Sequence, residues 1–326
     1  MTRKNIYRML AGLALILILA IASALIYVIF ARPNISLKEV KVEVTPERLK
    51  RGNYLANHVM VCMDCHSTRD WSRFSGPPKP GTEGMGGEKF DPSMGFPGVY
   101  YSPNITPFNL SSWSDAEIYR AITSGVSKDG HPLFPVMPYP YYATLATEDI
   151  YSIIAYIRSL APIQYSAPES KATFPMSLIL HLIPKEADPV MIPPVSDTLK
   201  YGEYLANAAG CIECHSPVDK GQIIRDSAYT GGRLFRLPAG DLRSPNITPD
   251  LETGIGTWNS EAFVKRFRDY LPGTYDPPAI PAGSYNTIMP WTMYAGMDST
   301  DLRAIYFYLH SLKPVRNEVI LYKPRK

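Results

Sequence analysis

Nearly every distinctive element of this 326-residue chain occurs twice. Gly52-Asn53-Tyr54-Leu55-Ala56-Asn57 recurs as Gly202-Glu203-Tyr204-Leu205-Ala206-Asn207. Gly86-Gly87-Glu88-Lys89-Phe90 is answered by Gly231-Gly232-Arg233-Leu234-Phe235, and Ser102 to Pro107 reappears unchanged as Ser244 to Pro249. Trp113 matches Trp258 and Met137-Pro138 matches Met289-Pro290. Asp149 to Ile163 runs parallel to Asp301 to Val315, with Tyr156 and Tyr308 in register. The period is a whole domain, which predicts two tandem copies of one fold rather than a solenoid of short repeats.

Each copy contains one Cys-x-x-Cys-His: Cys62-Met63-Asp64-Cys65-His66 and Cys211-Ile212-Glu213-Cys214-His215, which use all four cysteines. This is the spacing of c-type haem attachment. Two thiols on one turn of chain can bond the two vinyl groups of a haem, and the histidine then meets one axial face of the iron. Each copy also supplies a second axial candidate, Met137, 71 residues after His66, and Met289, 74 after His215. A thioether is a soft ligand, and His/Met ligation raises the reduction potential of the iron. The proline after each methionine has no N–H and stiffens the loop. Met60, Met63 and Met176 read as core filling. Met94, Met293, Met297 and His131 stand in reserve as axial candidates.

Other uses of Cys-x-x-Cys fit less well. A four-cysteine zinc site would join two duplicated domains through one ion and leave both histidines unused. A thioredoxin-like pair belongs at a strand-to-helix junction in a βαβ unit, whereas the flanks here read as helical and proline-rich. A disulfide within either pair closes too short a loop to stabilise much.

Helical signals surround each motif. Thr45-Pro46-Glu47 combines a capping hydroxyl, a first-turn proline and an early acid. Ser114-Asp115-Ala116-Glu117 fits a capping box. Thr147 and Ser299 are the expected caps of the last helix in each copy, with Ile150, Ile153, Ile154, Ile157 and Leu160 marking one apolar face and Leu302, Ile305, Tyr306, Leu309 and Leu312 its counterpart. Pro162 and Pro314 lie where those helices should stop. Glycine inside a helix costs about 1 kcal/mol relative to alanine. The repetition of Gly52 and Gly202 therefore predicts a close crossing by the helix that carries Tyr156 or Tyr308.

On these residues the chain resembles a dihaem member of the class I cytochrome c family, and is similar to the cytochrome c subunits of membrane-bound alcohol and gluconate dehydrogenases. The likeness covers residues 45–165 and 196–316 and rests on Gly-x-Tyr-Leu, Cys-x-x-Cys-His, Ser-Pro-Asn-Ile-Thr-Pro and Met289-Pro290-Trp291. It implies an all-α fold of two tandem class I domains, two covalently attached haem c groups, and iron ligation by His66 with Met137 and by His215 with Met289. Many dehydrogenase cytochrome subunits carry three haem motifs; this chain has two. The Ser-Pro-Asn-Ile-Thr-Pro loops and Arg233 are expected near haem propionates, and Trp113 and Trp258 beside the rings. Lys89 against Leu234 and Tyr139 against Trp291 are differences that could separate the two potentials.

Met9 to Ala31 carry no charge after Arg3, Lys4 and Arg8. Such a helix reaches about 34 Å, enough for a hydrocarbon core of about 30 Å. Basic residues ahead of the span predict a single-pass anchor in the cytoplasmic (inner) membrane, with the haem domains on the periplasmic side. Ala22-Ser23-Ala24 resembles a signal cleavage site, but Leu25 to Phe30 would make an unusually apolar mature start. The expected organisation is an anchor over 1–33, one domain over 34–165, a proline-rich linker over 166–195 and a second domain over 196–326. Within the linker, the apolar stretch from Phe174 to Ile183 is too short to span a bilayer and is expected to pack between the domains.

A net charge of +3 with scattered basic residues gives no case for nucleic acid. No hydrolytic triad or carboxylate pair stands out, and His58, His181 and His310 read as surface or packing residues. The expectation is an electron carrier, not an enzyme. Its redox partners would be a quinol-oxidising complex, a dehydrogenase or a terminal oxidase. A peroxidase-type dihaem enzyme needs one open axial position, which matched methionines disfavour; a haem sensor would need an output segment.

Overall fold

The structure, a computed structural model, describes residues 2–30, 33–37 and 39–325. Met1, Ala31 and Arg32 of the expected anchor, and Lys326 at the chain end, lie outside the described residues. Helix α1 (Arg3–Phe30) is long and apolar enough to cross a membrane, and none of its apolar window is buried.

The first repeat contains α2 (Pro46–Tyr54), α3 (Cys62–Cys65), α4 (Pro107–Leu110), α5 (Asp115–Ser124), α6 (Tyr139–Tyr142) and α7 (Thr147–Ser159). After α8 (Met176–Ile179), the second repeat follows with α9 (Thr198–Ala208), α10 (Cys211–Cys214), α11 (Ser260–Arg268), α12 (Trp291–Tyr294) and α13 (Ser299–Ser311). Each repeat is organised by the pairing of its first and last long helices, α2 with α7 and α9 with α13. Gly52 and Gly202 make those crossings possible. A Cβ on Gly52 would stand 1.9 Å from the Ser152 carbonyl oxygen and 2.8 Å from Tyr156 Cβ. One on Gly202 would stand 2.0 Å from the Ala304 oxygen and 3.0 Å from Tyr308 Cβ. The glycine crossing read from the sequence is therefore present in both repeats.

Thr45 accepts a hydrogen bond from Arg48 N, and Ser114 with Glu117 completes a reciprocal capping box. The other two expected caps are corrected. Thr147 and Ser299 are the first helical residues, one position past the cap, and cap nothing. Their place is taken across the repeat interface. Tyr204 Oη of the second repeat accepts from Ala146 N and donates to Asp149 in the first turn of α7. Tyr54 Oη of the first repeat accepts from Asp298 N and donates to Asp301 in the first turn of α13. Each tyrosine hydroxyl thus bridges the N-cap N–H of the other copy's helix to the carboxylate at its third helical position, a link that an ordinary capping box makes directly.

An all-α fold is not what forms. Among the described residues three small antiparallel sheets join the helices: β1 (Lys89–Phe90), β2 (Gly98–Tyr101) and β3 (Lys171–Ala172); β4 (Val218–Asp219) and β5 (Gln222–Ile223); and β6 (Leu234–Leu237), β7 (Gly240–Arg243) and β8 (Tyr322–Pro324). Strands of two to four residues are too short to show a period-2 pattern. They form because the long loops must still satisfy their backbone groups. Two of them, β3 and β8, arrive from the linker and the tail.

The chain just ahead of the apolar linker stretch folds back on the first repeat through β3, with Thr173 N donating to Pro97 O. Farther on, Asp188 N and Val190 N donate to Ala143 and Thr144. Within the stretch, Phe174 stays 78% and Leu182 70% exposed while Leu180 is buried. The repeats pack on one another directly. His58 of the first places Nδ1 2.9 Å from Met293 O of the second, against Gly296, and so packs rather than lying on the surface.

Candidate haem-binding sites

Both Cys-x-x-Cys motifs form a single helical turn entered from a left-handed residue, Val61 (φ 45°) or Gly210 (φ 65°). That entry turns the chain sharply off the preceding helix and sets both thiols on one turn. Val61 is a β-branched residue where glycine is favoured, so the sequence alone did not mark the position. All four thiols are free. Burial pushes those of Cys62 and Cys211 up to about 12, opposite to the depressed value of a redox-active pair. Among the described residues, no three His, Cys, Asp or Glu side chains gather to hold a bare metal ion. The motifs follow helices rather than strands.

The histidines are oriented identically. His66 Nδ1 lies 2.8 Å from Pro103 O, and His215 Nδ1 lies 3.0 Å from Pro245 O. A carbonyl only accepts, so Nδ1 carries the proton and Nε2 keeps its lone pair. Burial lowers the pKa of both imidazoles against the opposing pull of that hydrogen bond, which favours the neutral, metal-binding form. The backbone beneath is held as firmly. Gly86 N donates to His66 O and Gly231 N to His215 O. Both glycines have positive φ, and a Cβ on either would meet the Pro103 or Pro245 peptide at 2.4–2.6 Å.

The polar side chains of the Ser-Pro-Asn-Ile-Thr-Pro loops make bonds within the protein. Asn104 Nδ2 donates to Ile163 O and Tyr165 O while its Oδ1 accepts from Thr106; Asn246 repeats this with Val315 O and Thr248. The loops therefore tie the chain beyond α7 and α13 to the histidine-bearing turn. Arg233 is paired with Glu213 of its own motif at 2.9 Å. The first repeat builds the equivalent pair from a different arginine, Arg69 to Asp64 at 3.0 Å.

Met137 and Met289 occupy the same place in each repeat, half-buried against the core in the turn before α6 or α12. Trp113 and Trp258 are half-buried against that core as well. Met293 and Met297 are buried in it, and His131 is exposed. Burial holds the phenols of Tyr142 and Tyr294 well above their ordinary value; Cys62 and Cys65 add to this for Tyr142, and Cys211, Cys214, Tyr142 and Asp64 for Tyr294.

The donor set thus fits a covalently held haem: two free thiols on one turn, a neutral imidazole with a free Nε2, and a thioether at a matched position. No protein-family model matches the chain. The cytochrome c subunit of alcohol dehydrogenase (quinone) from Gluconobacter oxydans is 29% identical over 282 residues, 82% of this chain and 55% of that protein. The fructose dehydrogenase cytochrome subunit of Gluconobacter japonicus is 30% identical over 276 residues, 81% of this chain and 52% of that protein. The chain is similar to the cytochrome c subunits of dehydrogenases. It spans about half the length of these curated relatives. A diheme cytochrome c-type from Cereibacter sphaeroides is matched more fully, at 28% identity over 73% of this chain and 78% of that protein.

Proposed function

We propose that the chain is a membrane-anchored dihaem c-type cytochrome that carries electrons from a dehydrogenase or another respiratory complex to a terminal acceptor, as a subunit of a larger assembly. The observation that supports this best is the duplicated Cys-x-x-Cys-His with each histidine aimed by a proline carbonyl. In this reading Cys62 and Cys65 hold one haem and Cys211 and Cys214 the other, with His66 and Met137, and His215 and Met289, as axial ligands. Each haem, when bound, supplies an iron that gains and loses one electron. The protein holds its ligands still: Gly86 and Gly231 lock the histidine backbone, and the proline carbonyls fix the ring. Matching methionines leave neither site open, which favours an electron carrier over a peroxidase.

The proposed organisation is an anchor over 1–33, cytochrome domains over 34–165 and 196–326, and a linker over 166–195. Helix α1 would hold the chain in the inner membrane with both domains on the periplasmic side. The relatives' names make a dehydrogenase the first partner to test.

The test is an optical redox titration of the haem-stained protein with the near-infrared methionine–iron band followed in the oxidised state. Two low-spin waves, with one band lost in Met137→Ala and the other in Met289→Ala, are expected. A high-spin or bis-histidine haem would redirect the search to peroxide chemistry.

A further inference from the structure

One loop of the first repeat reaches onto the second. Twenty positions separate His66 from Gly86, against sixteen between His215 and Gly231. The longer stretch lays residues 72–75 along the chain that leads to Met289. Ile280 N donates to Ser72 O at 2.7 Å and Phe74 N to Pro278 O at 2.9 Å. Asn286 Nδ2 donates to Arg73 O at 3.1 Å, and its Oδ1 accepts from Ser75 N at 2.8 Å. At the end of this seam the Ser75 hydroxyl donates to the Met289 carbonyl and accepts from Trp291 N at 3.1 Å.

Ser75 is built for that position. It is 1% exposed and holds a left-handed φ of 67°. Its turn is pinned by Arg69, whose Nη2 donates to Ser75 O and whose Nε donates to Gly76 O, each at 2.7 Å. The same arginine pairs with Asp64 inside the first Cys-x-x-Cys-His. A continuous set of contacts therefore runs from the first motif to the backbone of the second methionine. The Met137 carbonyl accepts from Tyr139 N just as the Met289 carbonyl accepts from Trp291 N, but among the described residues no hydroxyl of the second repeat reaches it.

We infer that Ser75 is a positioning residue for Met289, so that the first repeat sets the axial ligation of the haem in the second. The inference rests on the proposed reading of Met289 as an iron ligand. A methionine side chain has three rotatable bonds and little preference of its own. The segment between α11 and α12 has no regular structure to steady it, so the residence of the sulfur on the iron depends on what fixes the Met289 backbone. Groups just outside a metal's ligands tune affinity and potential in this way.

The test uses the full-length holoprotein. Ser75→Ala and Ser75→Gly both remove the hydroxyl, but glycine also relieves the positive φ. In both, the Met289-dependent near-infrared band should be lost or weakened and the second haem's potential should fall, since loss of methionine ligation lowers it. The Met137-dependent band should persist unchanged. Combination with Met137→Ala or Met289→Ala assigns each band. Should the Ser75 variants fail to accumulate, Asn286→Ala, which cuts the bonds to Ser75 N and Arg73 O, is expected to act in the same direction. A Met289-dependent band and potential left intact by these variants overturn the inference alone, as does an effect confined to Ser75→Ala. A wild-type protein with no Met289-dependent band overturns the ligand assignment itself.

Discussion

Gly52 and Gly202 show what a single missing side chain can organise. Their Cβ positions are occupied by carbonyl oxygens of the crossing helix, and neither backbone can retreat without separating two packed helices. Gly52→Ala or Gly202→Ala should cost roughly 3 kcal/mol or more in urea unfolding of the holoprotein. Gly81→Ala is the control: its φ is positive but nothing lies within 4 Å, so only conformational strain of about 1–2 kcal/mol applies. Equal costs at all three positions would count against the crossing. Asn104 and Asn246 make the second residue-scale case. Truncating either to alanine strands buried carbonyls and a threonine N–H, and should cost about 3 kcal/mol by the same assay. A variant within 0.5 kcal/mol of the parent, which is roughly the size of an ordinary surface change, would show the loop to be merely accessory. Repetition in the sequence pointed to all four residues. It disclosed the reason only for the glycines, because the carbonyls that Asn104 and Asn246 bond are far away in the chain.

At the scale of elements, the helix starts of α7 and α13 depend on the opposite repeat. Tyr204→Phe and Tyr54→Phe each remove a hydroxyl that serves both a backbone N–H and a buried carboxylate, at about 1–3 kcal/mol. The two should differ. Asp149 keeps Arg51, bonded through Nε and Nη2 at 2.8 Å each, whereas among the described residues Asp301 keeps the Tyr201 hydroxyl alone, at 3.0 Å. Tyr54→Phe is therefore the more damaging, and the reverse order in thermal melts would contradict the geometry. The same cluster makes a pH prediction. Burial, followed by the neighbouring aspartate, raises the phenols of Tyr54, Tyr201 and Tyr204, with Tyr201 at about 12. A raised folded-state pKa means the folded protein binds more protons than the unfolded chain once pH exceeds about 10. Stability from this source is complete below pH 10 and declines as pH rises toward 12. The urea midpoint should fall over that window, less steeply in Tyr54→Phe/Tyr204→Phe; a flat profile in the parent would refute it.

At the scale of the whole molecule, the tyrosine exchanges, His58 against Gly296 and the Ser75 seam join the repeats without the linker between them. Small domains with a shared, hydrogen-bonded interface unfold together when neither is stable alone. Urea unfolding followed by absorbance and by far-ultraviolet circular dichroism should give one coincident transition, and a destabilising change such as Gly52→Ala should shift both haem signals together. Two separated transitions, only one of them moved by Gly52→Ala, would show independent domains.

What the sequence determined by itself was local or repeated: the two Cys-x-x-Cys-His turns, the matched Met-Pro positions, the glycine crossings, the cap at Thr45, the capping box at Ser114, and the apolar length of α1. Each is set by spacing of a few residues or by comparison of one copy with the other. What the tertiary structure alone decided was where distant backbone groups found partners. Strands β3 and β8 come from the linker and the tail, the caps of α7 and α13 come from Tyr204 and Tyr54, and Ser75 meets Met289 across 214 positions of chain. The physical reason is common to all three. A hydrogen-bonding group signals in the sequence what it needs, but its partner is whichever complementary group the packing of the two repeats brings within about 3 Å.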